Sequence, residues 1–269
     1  MTIFDALLLA VVQGLTEFLP VSSSGHLVLA QHFLHITNPG ILTFDVYVHL
    51  GTLISLLLIF WSDVVQMTKG VWQALAHGRI GEAYRSDDSV RMAIGVLVAS
   101  VPAGVIGVAF HKQVEEAFTD PKMVAVNLVI TGLILFLTRL ARPLEGRKIG
   151  FWSALAVGLA QAVAILPGIS RSGSTISTGM YIRLSPVQAT RFSFLMAIPV
   201  IAGAVLLETR NLFKAGGQIP LLPTIVGTAA AALVGYIAIK LLLGIVRRGK
   251  FSWFAFYCLA VGIFGIVFV

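Results

Sequence analysis

Gln13 and Glu17 stand four residues apart in an otherwise apolar run, a spacing that on a helix puts both side chains on one face. Two oxygen-bearing groups so placed suit a hard divalent cation, Mg2+ or Ca2+, with Glu17 the stronger ligand and Gln13 a neutral amide oxygen. The plain alternative is a polar pair that only joins helices. Pro20-Val21-Ser22-Ser23-Ser24-Gly25-His26 follows. Serines such as Ser22 and Ser24 favour a helix N-cap, Gly25 admits close approach, and free N–H groups at a helix start bind phosphate. Ser23 and His26 can share a face in the first turn, and a hydroxyl beside an imidazole is how a serine nucleophile is activated. A capped helix with a hydrogen-bonded histidine competes with that reading. Far along the chain, Pro167-Gly168-Ile169-Ser170-Arg171-Ser172-Gly173-Ser174-Thr175 sets an arginine among hydroxyls and glycines. A guanidinium fork fits phosphate oxygens. Ser170, Ser172 and Thr175 would add donors, and Gly168 would add room. An ion pair with Glu17 would also satisfy Arg171, but it would leave those hydroxyls without purpose.

The elements that must position these residues belong to a membrane. The chain is 57% hydrophobic and 12% charged, with a mean hydropathy of +0.93. A soluble domain carries roughly 25% charged residues, so this chain could not cover itself in water. The composition predicts an all-α integral membrane protein forming a single domain over residues 1–269. The net charge of +7 does not point to nucleic acid, because the basic residues fall in short loops between apolar runs.

Six stretches suit a bilayer span: Ile41–Trp61, Arg91–Phe110, Met123–Leu140, Gln188–Leu207, Leu221–Leu243 and Phe251–Val269. Two more, Ile3–Phe33 and Phe151–Tyr181, are apolar but interrupted by proline and polar residues. Proline breaks a helix, and irregular backbone at membrane depth survives only inside protein or beside a wet cavity. Both are therefore expected to be re-entrant hairpins, helix then break then helix. They resemble each other: Gln13 precedes Pro20 much as Gln161 precedes Pro167, Ser24-Gly25 recurs as Ser172-Gly173, and Phe44 and Phe192 follow at matching distances. The expectation is an internal repeat, residues 1–122 and 123–269.

Charge sets the orientation. With six spans, Lys69, Arg79, Arg85, Arg91, Arg139, Arg142, Arg147, Lys148, Arg183, Arg191, Arg247, Arg248 and Lys250 fall on one side. Only Lys112, Lys122, Arg210 and Lys214 fall on the other. The richer side should be cytoplasmic, with both termini outside the cytoplasm. The hairpins then enter from opposite faces, giving an inverted-topology repeat whose tips meet near the midplane.

Other residues carry less. Cys258 lacks a disulfide partner and metal-ligand spacing, so it is assigned to packing. His49 is read as a satisfied buried histidine, and His32, His35, His77 and His111 as loop or interface residues. The N-terminus lacks a basic segment, so a cleaved signal peptide is not expected. Gly95, Gly104, Gly107, Gly227 and Gly235 allow close helix packing within or between chains, which leaves a homodimer open.

The stretches Gln13–His26 and Pro167–Thr175, with length and segment order, resemble the bacterial undecaprenyl-diphosphatases, also called bacitracin-resistance proteins. That resemblance implies hydrolysis of undecaprenyl diphosphate to undecaprenyl phosphate and inorganic phosphate, recycling a carrier lipid for cell-wall synthesis. It implies a divalent-metal requirement and a site opening to the outer face of the bacterial inner membrane. The family's first motif is Glu/Gln-x-x-x-Glu, and this chain has the Gln form. From the chemistry of the residues, the roles expected are Ser23 as nucleophile, His26 in proton transfer, Glu17 on the metal and Arg171 on phosphate; attack by His26 or metal-bound water stays open. A lipid flippase or transporter with the same midplane site is the alternative function.

Overall fold

The computed structural model describes residues 2–36, 41–144, 146–215 and 221–269. Among them are helices and no strands. In chain order they are α1 (Ile3–Phe18), α2 (Ser23–Phe33), α3 (Ile41–Ala76), α4 (Ile80–Ser86), α5 (Asp88–Ala109), α6 (His111–Ala117), α7 (Pro121–Leu137), α8 (Phe151–Val163), α9 (Arg171–Tyr181), α10 (Pro186–Ala215), α11 (Leu221–Arg247) and α12 (Phe254–Phe268). Among the described residues six segments are long and apolar enough to cross a bilayer: Phe44–Ala76, Asp88–Ala109, Pro121–Leu140, Pro186–Leu207, Leu221–Arg247 and Phe251–Phe268.

The six spans stand where the apolar runs put them, most limits shifting by a few residues and one by far more. The first span was expected to end at Trp61, yet α3 continues to Ala76 and has 36 residues, about 54 Å at 1.5 Å per residue. Hydropathy marks where the apolar face ends, not where the helix ends. Nothing from Ser62 to Ala76 stops a helix, and termination waits for Gly78 in the left-handed region at φ +64°. Phe60, at φ −104° and ψ 19°, kinks α3 where the apolar part gives way to the polar extension.

Both interrupted stretches fold as helix, break and helix. The first break runs over 19–22, the second over 164–170. Each following helix has 11 residues and a serine N-cap. Ser22 accepts from the Gly25 N–H, and Ser170 accepts from the Gly173 N–H. The Ser22–Ser24 and Ser170–Ser172 hydroxyl pairs are both 3.3 Å apart.

Helices from the beginning and end of the chain interleave: α1 packs on α11, α3 on α10 and α7 on α12. A large cluster built around Phe18, Phe60, Phe192 and Phe194 holds the first break against α3 and α10. Phe194 meets Phe18 and Phe60 edge-on, with centroids 5.6 and 5.8 Å apart. Of the glycines singled out above, Gly227 lies under the Phe44 ring, Gly235 under Phe18 and Ser55, and Gly95 beside Phe192. These three pack helices within this chain, while a Cβ at Gly104 would meet nothing within 4 Å.

Candidate active site

The two breaks meet. A Cβ built on Gly25 would lie 3.1 Å from the Gly168 Cα, and one on Gly173 would lie 3.4 Å from the Pro20 carbonyl. The Ser172 hydroxyl donates to the Leu19 carbonyl at 3.1 Å, crossing from the second break to the first. α7 supports the second break from below. Asn127 donates to the Pro167 carbonyl at 2.8 Å, and Thr131 donates to the Gly168 carbonyl at 2.9 Å while accepting from the Ser170 N–H at 3.0 Å. Gly168 is required for that approach. Its φ is +89°, and a Cβ there would fall 2.3 Å from the Val124 carbonyl oxygen. Gly168→Ala should therefore destabilise the protein by at least about 2 kcal/mol, read as a lowered thermal unfolding midpoint in detergent.

Glu17 is the centre of the site. Its side chain is 6% exposed, and its two oxygens are met from four directions. Arg171 Nη2 reaches Oε1 at 2.5 Å. The Ser23 hydroxyl donates to Oε2 at 2.6 Å, and the Gln13 amide donates to the same oxygen at 2.9 Å. His49 Nε2 stands 3.6 Å from it. Ser23 and Arg171, remote in sequence, thus share one carboxylate. The ion pair considered for Arg171 forms, and it does not use the whole guanidinium. Arg171 Nη1 is buried and has no partner among the described residues. A buried donor without an acceptor is costly, the more so when charged. An anionic oxygen would meet it.

Several expected arrangements take another form. Ser23 does not pair with His26. In the first turn of α2 the His26 Nδ1 turns back on the Ser22 carbonyl at 2.8 Å, and Nε2 meets the Tyr257 hydroxyl at 2.9 Å. The group positioned to take the Ser23 proton is therefore Glu17. Thr175 is fully buried, and its hydroxyl donates to the Arg171 carbonyl at 2.7 Å and pairs with Ser193 at 2.6 Å. Ser170 is occupied as an N-cap, and Ser172 by the bond to Leu19. These hydroxyls hold the backbone that presents Arg171. His49 is not the isolated core histidine it resembled. Its Nδ1 donates to the Asp45 carbonyl at 2.6 Å, and Asp45 in turn accepts from Gln31 at 3.1 Å. This chain of contacts runs toward the edge of the site, where His49 is 31% exposed.

The donor set for a cation is thin. Among the described residues no group of three His, Cys, Asp or Glu side chains is placed to hold a metal. Gln13 Oε1, however, is buried and unpartnered beside Glu17. One carboxylate and one amide oxygen fit an ion whose remaining ligands come from a bound diphosphate, the usual habit of Mg2+. They do not make a cage by themselves.

A helical membrane protein with six spans, whose two interrupted helical stretches bring a carboxylate, a serine and a guanidinium together inside the helical bundle, defines the class. The chain belongs to the bacitracin resistance protein BacA family, whose model matches residues 6–264. It is 42% identical over 268 residues to the undecaprenyl-diphosphatase of Salinibacter ruber, with 99% of each chain covered. It is 40% identical to the undecaprenyl-diphosphatase of Desulforapulum autotrophicum, over 99% of this chain and 98% of the relative. The undecaprenyl-diphosphatase of Halothermothrix orenii is 42% identical, over 99% and 98%.

Proposed function

We propose that this protein hydrolyses undecaprenyl diphosphate to undecaprenyl phosphate and inorganic phosphate within the bacterial inner membrane. The observation that carries the reading is the half-used guanidinium: Arg171 is held by Glu17 through Nη2, while the buried Nη1 still wants an anion. The reaction starts at Ser23, whose hydroxyl already donates to Glu17. Ser23 Oγ attacks the terminal phosphorus and passes its proton to Glu17 Oε2. The Oγ–P bond forms, and the bridging P–O bond breaks with its electron pair leaving on the prenyl phosphate. Arg171 Nη1 stabilises the charge on the transferring group, which is most of what phosphoryl transfer asks of a protein. Water then attacks the phosphoserine. The Oγ–P bond breaks, inorganic phosphate keeps the water's oxygen and one proton, and Ser23 recovers a proton from Glu17. Glu17 takes up the second water proton and sheds it to solvent. A divalent ion, held by Glu17, Gln13 and the diphosphate itself, would supply further charge neutralisation.

The matching N-caps of α2 and α9 and the meeting of the breaks support reading the two stretches as re-entrant hairpins of an inverted repeat. The charge asymmetry of the loops supports a cytoplasmic side at Lys69 and Arg248 and a site opening outward.

The test is phosphate release from a prenyl diphosphate by purified protein in detergent, with and without chelator. Release should occur, stop with chelator and return with Mg2+ or Ca2+. Undiminished turnover in chelator would remove the ion from the reaction. No release at all would favour a lipid transporter, which needs neither a nucleophile nor a single compartment.

A further inference from the structure

Tyr257 reaches from the exposed face of α12 to His26 in α2. It lies in the first half of α12, within a segment apolar enough to span, and it is 47% exposed. Its hydroxyl is 2.9 Å from His26 Nε2, and the two rings stack at 5.6 Å with an interplanar angle of 6°. The His26 tautomer follows from its other bond. A backbone carbonyl can only accept, so Nδ1, 2.8 Å from the Ser22 carbonyl, carries the hydrogen. The neutral ring then has its lone pair on Nε2, and the Tyr257 hydroxyl is the donor. The placement is held by backbone. Gly262 lets α12 close on Val129 and the Ala125 carbonyl, and the Cys258 thiol lies 3.5 Å from the Pro20 carbonyl in the first break.

We infer that the Tyr257 hydroxyl is the binding group for the lipid-linked phosphate, the one that departs on the prenyl chain. This rests on the phosphatase reading above. A prenyl chain stays in hydrocarbon, so the phosphate it carries must sit at the edge of the site that faces hydrocarbon. The terminal phosphate needs Ser23 and Arg171, whose surroundings are deeper: Ser23 is 9% exposed and the Arg171 side chain 16%. The diphosphate therefore lies from Arg171 outward to Tyr257. A buried or lipid-facing phenol keeps a hydrogen-bond partner. Before substrate arrives that partner is the His26 nitrogen. A phosphate oxygen is a stronger acceptor, since bonds to charged acceptors are roughly twice as strong as neutral ones. The hydroxyl turns from Nε2 to the phosphate, with His26 still stacked beside it.

Tyr257→Phe keeps the ring and the stack and removes only the donor. Its effect is read by competition against prenyl diphosphate hydrolysis in detergent, using two inhibitors. Prenyl monophosphate carries only the lipid-linked phosphate, and inorganic phosphate represents only the terminal one. The inhibition constant for prenyl monophosphate should rise about tenfold or more, that for inorganic phosphate should stay unchanged, and KM for substrate should rise more than kcat falls. Equal weakening of both inhibitors, or of neither, would overturn the assignment, as would a loss confined to kcat. A wild-type protein that releases no phosphate would instead remove the phosphatase reading and this assignment with it.

Discussion

Ser23→Ala should lower phosphate release about 1,000-fold or more and abolish any phosphoenzyme trapped by rapid acid quench. The magnitude follows from removing a nucleophile that works as a unit with its base. The geometry supports this choice over the two other attackers. Ser23 Oγ is 2.6 Å from a carboxylate oxygen, while His26 has both nitrogens engaged, with Ser22 and Tyr257. His26 could attack only through Nε2, and only once the Tyr257 hydroxyl has left it, whereas Ser23 already rests on its base. Water activated by a cation would need no serine, so near-normal turnover in Ser23→Ala would sink serine attack and favour water. Glu17→Gln provides the companion measurement. The amide keeps the shape but cannot take a proton, so phosphoenzyme should fail to form although Ser23 remains.

Hydropathy, spacing and hydrogen-bonding demand each leave a different trace in this sequence. Span positions follow from hydropathy, because hydrocarbon tolerates few alternatives to an apolar helix. The extension of α3 past Trp61 does not, because a helix can outrun its apolar face. The meeting of Glu17 with Arg171 is legible in the two proline-interrupted stretches, whose breaks pack against each other. The partner of Ser23 is not. Spacing places Ser23 and His26 on neighbouring turns, but the choice of acceptor is settled by the strained N-cap at Ser22, φ +68°, and by a helix that begins more than 200 residues later. Two further pairs carry the same signal in the sequence. Asp45 and His49, and Asn127 and Thr131, each stand four apart in an apolar span, the same spacing that marked Gln13 and Glu17. The first pair leads to Glu17, and the second holds the Arg171 loop. The hydroxyls around Arg171 mislead in the opposite sense. In a loop buried among helices, side-chain oxygens are first needed by the backbone.

Arg171→Ala and Arg171→Lys together separate the two tasks of this arginine. The alanine variant should lose about 100-fold or more in kcat, the usual effect of removing one donor to a transition-state oxyanion. It should also lower the unfolding midpoint, because it leaves Glu17 buried without its cation, and breaking a buried pair costs about 3–5 kcal/mol. Loss of activity in alanine alone would therefore be ambiguous. Lysine resolves it. An ammonium can still neutralise Glu17, so thermal stability should return close to wild type. It has no fork with which to bind Glu17 through one nitrogen and phosphate through another, so turnover should remain at least about tenfold down. A lysine variant that regains both stability and turnover would show that Arg171 serves only as the counter-ion of Glu17, and the unpartnered Nη1 would then have no part in the chemistry.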